Sequence, residues 1–146
     1  MRNNILIFLK VFPVFFLIIF IATFGLLQGY FQQDEWMGIA DVMLSYSRPW
    51  WDPYLPWVHF SPIGVFIWST LYKTFHLQAQ FYFLIQLIVH ASCATLVYIL
   101  TLKITKKRPI ALLTGFLFLI NARAHQAFTH LAIFHTTTLA MFFILL

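Results

Sequence analysis

From Val11 to Gln33 the chain carries no charge and is dominated by Phe, Ile and Leu. That run meets the roughly 20 residues an α-helix needs to cross a ~30 Å hydrocarbon core, and it predicts a first span over 11–31. A second uncharged run, Thr74–Leu102, is densest from Phe81 onward and stops against Lys103-Ile-Thr-Lys-Lys-Arg108, predicting a span over 79–102. Pro109 then opens a shorter apolar segment, 109–121. Ala127–Leu146 forms a last one, over 127–146, that is still apolar at its final residue. The expectation is the N-terminal part of a longer polytopic protein.

Between the first two long runs, Ser61–Phe75 is apolar but holds Lys73 and is followed at once by another span. Parity argues against a crossing there. With Arg2 and Lys10 inside, the first span exits near Asp34, and one return by 79–102 brings Lys103–Arg108 back to the cytoplasm, as the positive-inside rule requires. Ser61–Phe75 therefore reads as an interfacial helix. Ser61 caps it, Pro62 takes its first position, and Trp68, Tyr72 and Phe75 form an aromatic stripe at headgroup depth. The other reading is a true span with a different topology. Tyr30, Phe31, Trp36, Trp50, Trp51, Tyr54 and Trp57 crowd the same loop, as aromatic belts do at a membrane interface. The fold class expected is all-α: a multi-pass helical membrane protein with four membrane segments and an outer loop over 32–78 bearing two juxtamembrane helices. Its place is the plasma (inner) membrane, with the N-terminus cytoplasmic.

Composition agrees. The chain is 62% hydrophobic and 9% charged, against about 45–50% and 25% in soluble domains. All four acids fall within Asp34–Asp52, while four of the nine bases sit in Lys103–Arg108. Bases kept beside spans on the cytoplasmic side account for the positive balance without nucleic acid as a partner. The lone cysteine, Cys93, lies inside an apolar run, so it forms no disulfide framework and reads as packing. The N-terminal run also satisfies the pattern of a signal peptide, but its length and the lack of an Ala-x-Ala-like site favour a retained anchor.

Candidate chemistry begins just past the first span, at Gln33-Asp34-Glu35-Trp36. Helical continuation puts Asp34, Gly38, Asp41 and Ser45 on one polar stripe, with Met37, Ala40, Met43 and Leu44 toward lipid or bundle. A partly desolvated carboxylate there can accept a proton from a hydroxyl or amine as a general base. Acids at the end of a span are also ordinary solvated loop residues. Arg123, a lone base between two spans, suits a lipid phosphate, because its fork matches phosphate oxygens; as a surface residue it would snorkel. His125, His130 and His135 recur every five residues, which turns successive positions roughly 140° apart and off the i, i+4 spacing of one-sided ligation. No metal and no cofactor is predicted. His90, inside a span, reads as a hydrogen bond within the bundle rather than half of a haem pair with His130, and Thr136–Thr138 as bonding their own helix.

Several of these features occur together and in order. They are the Asp34-Glu35 pair, a loop of two juxtamembrane helices, the turn His59-Phe60-Ser61-Pro62-Ile63-Gly64, a span with internal His90, and Asn121-Ala-Arg-Ala-His125-Gln-Ala after a short span. In this the chain resembles the GT-C superfamily of polyprenyl-phosphate-sugar glycosyltransferases, of the protein mannosyltransferase type. The resemblance implies transfer of a sugar from a polyprenyl-phosphate carrier to an acceptor at the outer membrane face, with inversion. It assigns Asp34 as base and Glu35 as its orienting or acceptor-binding neighbour. Asp41, His59, Arg123 and His125 are the candidates for substrate binding, with a simple turn role as the other reading of His59. Gln126 stands where relatives often carry Glu. The alternatives are a polytopic transporter subunit, in which Asp34, Asp41 and Arg123 line a polar path, and a small membrane scaffold.

Overall fold

The computed structural model describes residues 2–31, 33–44, 62–121 and 138–145. These form six α-helices: α1 (Arg2–Ala22), α2 (Gln33–Leu44), α3 (Pro62–Phe75), α4 (Ala79–Thr105), α5 (Arg108–Ile120) and α6 (Thr138–Leu145), with a 3-10 turn at Phe24–Gln28 after α1. The described residues contain no strand. Two helices, Asn4–Ala22 within α1 and Ala79–Thr105, are long and apolar enough to cross a membrane, and α5 is a shorter apolar helix.

The helix boundaries differ from the uncharged runs in the sequence. α1 begins at Arg2, takes in Lys10 and Pro13, and ends at Ala22 rather than near 31. Lys10 is exposed, so its ammonium can leave an apolar surface on its own methylene stem without interrupting the helix. The end of α1 is closed locally, with both the amide and the hydroxyl of Thr23 bonding the carbonyl of Ile19. α4 starts at Ala79, as the pattern predicts, and continues a turn past Leu102 to a left-handed cap at Lys106, whose φ is 57° and whose amide bonds the Leu102 carbonyl. Pro109 lies in the first turn of α5, where its missing N–H costs nothing. Of the segment expected over 127–146, only α6 is described.

α4 is the hub, touching α1, the 3-10 turn, α3, α5 and α6. Asn4 of α1 and Lys103 of α4 line one cleft, while Phe31 reaches Tyr82 at a centroid distance of 5.1 Å, so the two long helices run antiparallel. His90 meets Leu119 and Ala94 meets Gly115, so α5 turns back along α4. Phe15, Ile19, Leu87, Ala91, Ala94, Tyr98, Ala111 and Leu119 share the core between these three helices.

The outward side is apolar too. Ile5, Leu9, Val14, Leu17 and Ile21 on α1 and Leu113 and Leu117 on α5 are each more than half exposed, a surface that soluble monomers rarely present. Thr70, Thr74, Ser92, Thr95, Thr105 and Thr114 each donate to the carbonyl four residues back within their own helix. The expectation that Thr136–Thr138 do the same falls on side chains outside the described set.

Candidate active site

The first carboxylate pair is positioned by an aromatic anchor. After the 3-10 turn, Phe31 is buried edge-on to both Tyr82 of α4 and Trp36 of α2, at 5.1 and 5.4 Å. α2 begins two residues later, so Asp34 and Glu35 occupy its first turn. Carboxylates suit that position, because the unpaired N–H groups of a helix start favour negative charge. Ile39 and Val42 then bury against a second core made with Trp68 of α3 and Ala79, Tyr82 and Phe83 of α4.

This docking departs from the expected faces of α2 at one position: Gly38, placed on the polar stripe by spacing, is buried, as are Ile39 and Val42. Ala40 and Met43, expected toward lipid or bundle, are exposed. The positions of Asp34 and Asp41 lie about one turn to either side of Gly38. Side-chain placement for Asp34, Glu35 and Asp41 lies outside the described set.

α3 is a helix, as its pattern predicts, but its aromatic stripe turns inward. Trp68 is buried with its ring 5.9 Å from Tyr82, and Tyr72 and Phe75 pack on the same core. The corner into α4 is tied by Tyr82, whose hydroxyl donates to the carbonyl of His76 at 2.7 Å. His76 itself takes a left-handed turn, with φ 51°, and its amide bonds the Tyr72 carbonyl. Tyr30, by contrast, is exposed, as an interfacial aromatic would be. His59, Ser61, Arg123, His125, Trp50, Trp51, Tyr54 and Trp57 lie outside the described residues, as do His130 and His135.

Three polar side chains inside α4, those of Tyr82, Gln86 and His90, recur every four residues and are all buried. His90 sits 3.1 Å through Nε2 from the carbonyl of Leu119, in the last turn of α5, where carbonyls have no partner within their own helix. Its ring also stacks on Phe118. His90 thus caps α5 from a neighbouring helix, which agrees with its reading as a bundle hydrogen bond. Gln86 is fully buried, and neither its Oε1 nor its Nε2 finds a hydrogen bond among the described residues. The four-residue spacing was visible in the sequence; which of the three would lack a partner was not. Among the described residues, no three His, Cys, Asp or Glu side chains converge.

Compared with protein-family models, curated proteins and solved structures, the chain matches none.

Proposed function

We propose that the chain is the N-terminal part of a GT-C-like membrane glycosyltransferase, multi-pass with four membrane segments and a cytoplasmic N-terminus in the plasma membrane. The full-length protein moves a sugar from a polyprenyl-phosphate carrier to an acceptor at the outer face. The observation that carries this reading is the docking of α2, which holds Asp34, Glu35 and Asp41 on a helix that starts ten residues (23–32) beyond an apolar helix of membrane-spanning length. In this reading Asp34 takes the proton from the acceptor's hydroxyl or amine as its heteroatom bonds the anomeric carbon. The bond from that carbon to the carrier phosphate breaks with its electrons left on phosphate, and the Arg123 guanidinium takes up that charge. The orientation draws support from Asn4 and Lys103 sharing one end of the bundle, which groups Arg2 with the basic segment Lys103–Arg108.

The experiment is transfer of radiolabelled sugar from polyprenyl-phosphate donors in membranes carrying the full-length gene product, wild type against Asp34→Asn. Loss of transfer at equal expression is expected, by about a hundredfold or more for a lost general base. Unchanged transfer would remove Asp34 from the role. A polytopic transporter subunit is the second reading, favoured by the fully buried Gln86 amide within α4, since polar groups inside spans often mark a path. It becomes the better one if the wild type transfers no sugar from any such donor.

A further inference from the structure

The end of the bundle opposite α2 holds a cleft that the glycosyltransferase reading does not use. About 290 Å³ in volume, it lies between the first turns of α1, the last turns of α4 and the end of α6. Phe8, Ile99, Leu100 and Phe142 contribute to its apolar walls, and Asn4 and Lys103 are its polar residues. Both polar residues belong to helix ends, so the charge stands at one end of an otherwise apolar slot. Ile5 and Leu100, which also line it, are exposed, so the slot opens sideways onto the apolar surface of the bundle.

Among the described side chains, the charge around this end has one sign. Lys103 is followed by Lys106, Lys107 and Arg108, all exposed, whereas the chain's four acids all fall within Asp34–Asp52. Phe31 beside Tyr82 keeps the start of that acidic segment at the other end of α4. A lysine at the rim cannot be matched by an apolar helix seated in the slot. It can be matched by a ligand with a hydrocarbon tail and an anionic head.

We propose that this cleft is a binding site for an anionic phospholipid, with one acyl chain along Phe8, Ile99 and Leu100 and the headgroup phosphate on Lys103, assisted by Asn4. Basic pockets between membrane helices bind anionic headgroups in this way, and the volume is at the low end for small-molecule sites, enough for part of a single chain. The inference rests on the chain being membrane-embedded and is independent of any sugar transfer. Resistance of the protein to alkaline extraction from membranes checks that premise separately.

The test uses the full-length protein, purified in detergent, exchanged against phosphatidylglycerol or phosphatidylcholine and analysed by native mass spectrometry for retained lipid. The wild type should retain phosphatidylglycerol over phosphatidylcholine by roughly fivefold, the scale of one lysine near an anionic headgroup. Lys103→Gln should abolish the preference, and Leu100→Trp, which fills the slot at an exposed position, should lower retention of both lipids. Lys107→Gln, outside the cleft lining, should leave the preference intact. Equal retention of the two lipids by the wild type would overturn the proposal, as would a preference lost equally in Lys107→Gln and Lys103→Gln or retention unchanged in Leu100→Trp.

Discussion

The ring of Phe15 on α1 lies directly over Gly115 on α5, so that a Cβ at position 115 would stand 2.8 Å from Phe15 Cε2 and 3.2 Å from the Ala94 carbonyl. Phe15 is buried and meets Tyr98 edge-on, which leaves the ring little room to retreat. Alanine favours a helix over glycine by roughly 0.5–1 kcal/mol, but overpacking costs about 1–3 kcal/mol, and here the steric effect should win. We expect Gly115→Ala to lower stability in detergent unfolding and Phe15→Leu to relieve part of the loss in the double variant. Additive effects of the two changes would show that the wedge is not tight.

His90 supplies a donor to a carbonyl that α5 cannot satisfy itself. Replacing it with Phe keeps the bulk and removes the bond, and hydrogen bonds between membrane helices are worth about 0.6 to 2 kcal/mol. We expect a loss on that scale for His90→Phe, read from the unfolding midpoint, and a smaller one for His90→Gln, which keeps a donor. Equal losses for both variants would mean that ring packing on Phe118, rather than the bond, holds the site.

Gln86 should behave oppositely. A buried amide without a partner carries a desolvation penalty of about 1–3 kcal/mol, so Gln86→Leu, close in size and apolar, should raise the unfolding midpoint. A clear loss of stability would show that the amide is bonded in the folded protein.

The single cysteine gives a direct measure of topology. Cys93 is buried in α4 and should not react with a membrane-impermeant maleimide, so single cysteines can be read against it. Tyr30→Cys, at a highly exposed position, should label in intact cells, whereas Lys107→Cys should label only after the cells are opened. The reverse pattern would invert the bundle and place α2 and its carboxylates inside.

The all-helical class, the two long apolar helices and nearly all of α3 and α5 were legible in the order of residues, because these rest on runs of apolar residues and on local stops such as Pro109 and the Lys103–Arg108 cluster. The sequence also showed where carboxylates stand relative to the first span, which is a matter of order along the chain. Helical ends were less legible. Lys10 does not stop α1, since a long side chain can carry its charge out of the helix surface, and a left-handed cap at Lys106 rather than the first base ends α4.

Which side of each helix faces inward was settled by packing between helices distant in the chain. In a chain this apolar, both faces of a helix read alike, so hydrophobicity cannot choose between lipid and neighbour; close approach and hydrogen bonding do. Gly38 turned out to be buried and Met43 exposed, Trp68 moved from the expected interface to a buried contact with Tyr82, and Gly115 became the seat of Phe15. The partner of His90 lies 29 residues away on another helix. No local pattern carries that pairing, because it depends on α5 turning back along α4 so that an unpaired carbonyl at its end meets an imidazole inside the bundle.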